Sequence, residues 1–123
     1  MPVIGLDHVN IRTLDAEESA RFYVEVLGFA YHRGPEVMGH QAHWLCDNSG
    51  RPIIHLRLRE PDGASTGPVD HVALACQGKA DMVERLTARS VEFSMAENLL
   101  PGITQIFLKD PHGIAIELQF SGE

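Results

Sequence analysis

The sequence predicts an α+β fold of two paired βαβββ modules, and three features carry that expectation. The stretch LDHVNI at 6–11 returns as VDHVAL at 69–74, with a histidine inside an apolar, strand-like run both times. Each copy is followed by one helix-like stretch and three strand-like ones, the last two joined by an Asp-x-x-Gly turn. Between the copies lies REPDGASTGP, rich in Pro, Gly, Ser and charge, which reads as a linker. Residues 1–60 are expected as the first module, 61–68 as the linker and 69–123 as the second, one domain in all. Each module is too small to bury its own sheet, so the two must pack together or pair across a dimer.

The elements follow in order. After the first histidine strand, Asp15 is a good N-cap and Glu18 sits where a capping box places its partner. Ala16, Ala20, Tyr23 and Leu27 then recur at helical spacing, and Gly28 stops the helix. Strands are expected at Phe29–His32, His40–Cys46 and Pro52–Arg59, with DNSG at Asp47–Gly50 turning the last pair. In the second half, GKADMVERLTARS keeps Val83, Leu86 and Ser90 at helical spacing. Strands are expected at Glu92–Met95, Ile103–Lys109 and Ile114–Phe120. DPHG at Asp110–Gly113 suits a type I turn, with Pro second and Gly fourth.

Side chains alternate across a strand, so parity sorts the faces. Val9 and Ile11 oppose His8 and Asn10; Val72 and Leu74 oppose His71 and Ala73. Ile54, Leu56 and Leu58 oppose His55 and Arg57; Ile116, Leu118 and Phe120 oppose Glu117 and Gln119. Four strands thus carry an apolar face for the helices and, opposite it, one metal-capable residue: His8, His55, His71 or Glu117. If both curved sheets cup one space, these four converge there. Imidazole nitrogen and carboxylate oxygen suit Fe, Ni, Co, Zn or Mn, and spacing does not choose among them.

Composition narrows the partners. The formal net charge of −7 and the lack of a Lys/Arg stripe argue against nucleic acid. No run approaches the roughly 18 apolar residues of a membrane span, and MPVIGLDHV has no basic n-region before an apolar core. A cytoplasmic location is therefore expected. Cys46 and Cys76 stand alone without a CxxC and read as buried apolar residues in a reducing compartment.

With these residues in place, the sequence resembles the vicinal oxygen chelate superfamily of glyoxalase, bleomycin resistance and dioxygenase proteins. DHVNIRTLDAEESARFYVEVLGF is similar to its opening stretch, through Ser19-x-x-Phe22-Tyr23 and Leu27-Gly28-Phe29, and FLKDPHGIAIELQF to its closing stretch. The resemblance covers nearly the whole chain. It implies two paired βαβββ modules cupping a divalent metal, with ligand places on His8, His71 and Glu117, and the place ending the first module on His55. Departures from subfamily patterns narrow the activity. Extradiol dioxygenases carry a Tyr where Phe107 stands and a His near Asn98, Leu99 and Leu100. Glyoxalase I has a Gly-His or similar at Asp70-His71 and a glutamate at the place of His55. Fosfomycin-modifying relatives need a Tyr at Phe107 and an Arg just after Glu117, where this chain has Leu118-Gln119. Bleomycin-binding relatives generally lack the ligand set.

The expected function is that of a divalent-metal-dependent isomerase or lyase acting on a small substrate chelated through vicinal oxygens. Glu117 or His55 would leave the metal to act as general base. An Fe(II)-dependent dioxygenase is the first alternative, with His8, His71 and Glu117 as a two-His-one-carboxylate triad and His55 behind it. A non-catalytic, antibiotic-binding resistance protein is the second. The resemblance turns the faces of His40, Ala42 and Trp44, and of Ile103, Gln105 and Phe107, toward the cavity. His40, Trp44, Gln105 and Phe107 are therefore substrate-binding candidates, and Arg57 could bind a substrate carboxylate. Loops 33–42 and 96–103 are expected to set substrate choice, and His32, His43 and His112 to lie at the surface. A homodimer is expected.

Overall fold

The structure, a computed structural model, describes residues 5–37, 39–58 and 67–123. The chain divides into two compact units, Met1–Asp62 and Gly63–Glu123. The first unit runs β1 (Val9–Thr13), α1 (Ala16–Glu25), β2 (Ala30–Val37), β3 (His40–Cys46) and β4 (Pro52–Leu58). Its sheet has the order β1-β4-β3-β2, with β1 parallel to β4 and the other pairs antiparallel. The second unit runs β5 (Val72–Cys76), α2 (Lys79–Ala88), β6 (Ser94–Leu100), β7 (Ile103–Lys109) and β8 (Ala115–Ser121). Its sheet repeats the order as β5-β8-β7-β6, again with one parallel pair. The fold is thus α+β and built of two βαβββ modules. Residues 61–66 of the expected linker, and Arg59 at the expected end of β4, lie outside the described residues.

Each module buries the apolar face that parity assigns. Ile11, Leu45, Ile54 and Leu56 are buried in the first, Ile106, Leu108, Ile116, Leu118 and Phe120 in the second. Leu58 departs from this: at the last position of β4 it is 64% exposed. Helix α1 starts as expected, with the Glu18 N–H donating to Asp15 Oδ1 at 3.0 Å. The Asp15 N–H itself donates to Thr13 Oγ1. The buried side of α1 is Ser19, Tyr23 and, just past its end, Val26, rather than Ala16, Ala20 and Leu27, which are half-buried. Ser19 can sit inside because its hydroxyl and that of buried Thr13 are 2.8 Å apart, so neither polar group is left without a hydrogen bond.

Both Asp-x-x-Gly turns have one design. The Gly50 N–H donates to the Asp47 carbonyl at 2.9 Å, and the Gly113 N–H to the Asp110 carbonyl at 3.1 Å. In each, the aspartate Oδ1 also accepts the N–H groups two and four residues on: Ser49 and Arg51, His112 and Ile114. Gly50 and Gly113 take φ of +83° and +90°, where a Cβ is strained.

Strands β2 and β6 are longer than their sequence patterns suggest. Residues 33–37 and 96–100 are strand rather than loop, as are residues 40–42 of β3. The pairing of β2 with β3 shifts between Arg33 and Glu36, and that of β6 with β7 between Glu97 and Leu100. A bulge breaks the two-residue alternation, so the far half of each strand loses its sequence signature.

Candidate metal centre: two matched half-sites

The two modules set their candidate ligands at corresponding positions. His8 and His71 each stand one residue before the first strand of their module. In the parallel pairs, His55 lies opposite Asn10 and Glu117 opposite Ala73. In the antiparallel pairs, His55 lies opposite Trp44 and Glu117 opposite Phe107. One detail would have spoiled this match. His55 follows Asp47 by eight residues, whereas Glu117 follows Asp110 by seven. A one-residue offset turns a side chain to the other face of a sheet. The pairing of β3 with β4 absorbs it: Cys46 opposes Pro52 and Leu45 opposes Ile54, which leaves Ile53 as a bulge.

The aspartate of each Asp-His pair has a function that sequence reasoning missed. The His8 Nδ1–H donates to Asp7 Oδ2 at 2.7 Å, and the His71 Nδ1–H to Asp70 Oδ2 at 2.8 Å. A carboxylate on Nδ1 holds the neutral ring in one tautomer and leaves the Nε2 lone pair to a ligand. The bond from His8 lowers the Asp7 pKa, and the bond His71 makes to Asp70, aided by Glu117, raises that of His71. The signal was in plain view, since Asp precedes His in both copies. The loop holding His8 is also tied down by Arg51, whose guanidinium donates to the Leu6 carbonyl at 2.7 Å.

In the second module, His71 Nε2 lies 3.4 Å from Glu117 Oε1. Glu117 is 7% exposed, so its carboxylate is largely withdrawn from water. Two ligand atoms bound at about 2.0–2.2 Å to one tetrahedral ion stand roughly 3.4 Å apart. The pair therefore fits a divalent cation by donor type and by spacing. His71 and Phe107 also line a cleft of about 980 Å³ with Phe93, Lys109 and Ile116.

In the first module, Trp44 stacks on His55, with centroids 4.4 Å apart and planes at 15°. His8 meets the Trp44 edge at 5.0 Å, and the His8 and His55 rings are 6.2 Å apart. Trp44 lies across Gly34, where a Cβ would come within 3.0 Å of the indole. His55 differs from the other two histidines because its Nδ1 faces the Asn10 side-chain amide at 3.4 Å, not a carboxylate. An amide can present a donor or, turned over, an acceptor, so His55 is free to hold either tautomer. Burial, then His8 and Arg57, lowers the His55 pKa and favours the neutral ring.

The other candidates fall as follows. Gln105 is half-buried opposite Gln119, and Phe107 is 37% exposed. His40 and Arg57 are exposed. His32 is exposed and lies in β2 opposite Trp44. His43 and His112 are half-buried rather than surface residues. His43 Nδ1 is 2.6 Å from the Tyr31 hydroxyl, in a groove with Ala16, Ala20 and Val24 of α1. Cys46 and Cys76 are free, half-buried thiols, and burial raises the Cys76 pKa. Among the described residues, neither module by itself gathers three His, Cys, Asp or Glu side chains around one point. No helix among them is long and apolar enough to cross a membrane.

Residues 5–118 match the sequence profile of the Glyoxalase/Bleomycin resistance protein/Dioxygenase superfamily. The chain belongs to that superfamily. The superfamily takes in enzymes, the glyoxalases and dioxygenases, alongside resistance proteins. A curated relative, Glyoxylase I 4 of Arabidopsis thaliana, is 28% identical over 121 residues, 93% of this chain and 69% of its own. A glyoxalase family protein from Bacillus anthracis superposes with a TM-score of 0.76 at 22% identity, over 97% of this chain and 96% of that one. TnmS3, an antibiotic-binding protein from Streptomyces sp. CB03234, gives 0.76 at 21%, over 98% of each chain. The fosfomycin resistance protein FosX of Listeria monocytogenes gives 0.71 at 17%, over 97% and 94%. At these identities the structural likenesses establish the superfamily's fold.

Proposed function

We propose that this protein is a divalent-metal-dependent isomerase or lyase acting on a small substrate held through two adjacent oxygens, such as a hydroxy-ketone or a 2-oxo acid. His8, His71 and Glu117 would hold the cation, with His55 as a fourth ligand or as the proton-handling group beside it. The observation that carries this is the paired Asp-His bond, which readies Nε2 of both histidines, with Glu117 set 3.4 Å from one of them. Superfamily membership supports the same reading.

A bound divalent cation supplies Lewis acidity to the chelated oxygens, which makes a neighbouring C–H more acidic. His8 and His71, held by Asp7 and Asp70, serve as fixed nitrogen donors. His55 is not locked. It takes the proton at one ring nitrogen while the Asn10 amide turns to match the other. Glu117, withdrawn from water, is the second group able to move a proton. Trp44 and Phe107, opposite His55 and Glu117, offer apolar contact to the substrate, and His40 and Gln105 offer polar handles. The protein is proposed to work as a homodimer in the cytoplasm.

Elemental analysis of protein purified without added metal tests the proposal. The expected result is close to one equivalent of Fe, Ni, Co, Zn or Mn per chain, lost on Glu117→Ala. Undiminished metal in that variant would overturn the ligand assignment. Tight binding of an antibiotic-like molecule by metal-free protein would favour a resistance protein without turnover.

A further inference from the structure

Leu6, Asp7 and His8 precede β1, outside its ladder with β4, and Arg51 immediately precedes β4. The two strands run parallel, and the offset of 45 residues that pairs Val9 with Ile54 also sets Arg51 beside Leu6. Arg51 is fixed at its base. Its N–H donates to Asp47 Oδ1 at 3.0 Å and its carbonyl accepts the Asp47 N–H at 2.9 Å, so the β3–β4 turn holds its backbone on both sides. Its guanidinium then donates to the Leu6 carbonyl at 2.7 Å. That carbonyl and the Asp7 N–H belong to one planar peptide unit, so a bond to the oxygen fixes the plane from which Asp7 starts. Asp7 in turn accepts from His8 Nδ1 at 2.7 Å. A chain of hydrogen bonds thus runs from the turn to the His8 ring.

The turn of the second module repeats the geometry with an apolar residue. The Ile114 N–H donates to Asp110 Oδ1, but the isoleucine side chain has no donor to extend to the segment before β5. There His71 has Glu117 Oε1 at 3.4 Å from its Nε2. Where the second module sets that carboxylate, the first sets His55, whose ring centroid is 6.2 Å from that of His8. The aim of His8 therefore depends more on what holds it from behind. We propose that Arg51 is a positioning residue for His8, and that the β3–β4 turn, acting through it, sets how tightly His8 holds a divalent cation. The inference rests on the metal-dependent reading for the role of His8 as a ligand; the orientation of the ring stands apart from that reading. A charged donor suits the task, since its hydrogen bond to a carbonyl is stronger than a neutral one.

The test reads the ring and the ion separately. In metal-free protein at about pH 8.5, two units above the ordinary imidazole pKa, long-range ¹H–¹⁵N spectra give the tautomer of each histidine. Arg51→Met keeps an unbranched stem and removes the donors. It is expected to turn His8 from one tautomer into a mixture and to leave His71 as it was. Ni²⁺ binding is followed by the fluorescence of Trp44, the sole tryptophan, whose ring lies 5.0 Å from that of His8. The variant is expected to bind Ni²⁺ roughly tenfold more weakly, the lower end of what loss of an outer-shell partner costs. Arg51→Lys, which keeps a cationic donor for the Leu6 carbonyl, restores part of both. An unchanged His8 ring in Arg51→Met, or undiminished Ni²⁺ affinity, overturns the inference. Equal changes at His8 and His71 overturn it too, since a general loosening accounts for them. A change confined to His8, in a protein that binds no Ni²⁺ even unaltered, upholds the positioning of the ring and overturns the metal reading alone.

Discussion

Asp7 and Asp70 are the residues that most change how the site is understood. The histidine of each DHV stretch is legible as a strand residue on a shared face, but parity says nothing about its aspartate. The reason lies in the structure, a carboxylate bonded to Nδ1 that makes each histidine a one-sided donor. Asp47 shows the same economy in a turn. Its carboxylate accepts from the Ser49 hydroxyl, the Ser49 N–H and the Arg51 N–H. The Ser49 hydroxyl, followed by the Arg51 N–H, holds its pKa below the usual carboxylate value. A carboxyl whose pKa is lower folded than unfolded contributes stability above its unfolded pKa, about 3.9, and loses it as pH falls through the folded value. Asp47→Asn removes that linkage. Urea unfolding should show the variant less stable near neutral pH, with the gap to the parent narrowing between pH 4 and 2. A gap that stays constant over that range would show that the charge is immaterial.

At the scale of elements, β3, β4 and β7 could be read from sequence and the far halves of β2 and β6 could not. His40–Cys46 and Ile103–Lys109 are strands to the residue. The far halves of β2 and β6 were hidden by irregular pairing, and the Ile53 bulge explains how an eight-residue and a seven-residue spacing deliver matching faces. The end of α2 was hidden differently. Ser90 keeps helical spacing yet lies outside the helix, at φ +55°. The Val91 N–H donates to the Leu86 carbonyl and the Ser90 N–H to that of Thr87, a Schellman closure whose left-handed position favours glycine. Ser90 is exposed, so its replacement removes little packing. Ser90→Gly should raise stability by about 0.5–1 kcal/mol, the left-handed penalty less the added freedom of the unfolded chain. Ser90→Val should lower it, since a β-branched residue is poorly suited to that conformation. A higher urea midpoint at unchanged slope for the glycine variant checks this.

At the scale of the whole molecule, one duplicated plan carries two unlike chemistries. Strand order, turns and the placing of the half-sites repeat, while the equivalent positions differ: His55 against Glu117, Trp44 against Phe107, Asn10 against Ala73. The first module sets imidazole and indole at these positions; the second sets the carboxylate. A pair of ligands is a weak hold on a cation, and each module offers a pair. If one cation takes donors from both, it binds only where both modules are folded, and its binding energy becomes folding energy. Ni²⁺ at one hundred times its dissociation constant should then stabilise the protein by about 2.7 kcal/mol, read as a rise in the thermal midpoint that EDTA removes. Loss of either pair should cost the same gain, because the remaining pair cannot hold the ion. His8→Ala and Glu117→Ala should therefore each abolish the metal-dependent rise while changing the metal-free midpoint little. If Glu117→Ala keeps the rise and His8→Ala loses it, the first module binds the metal alone, and the matched placing of Glu117 has some other cause.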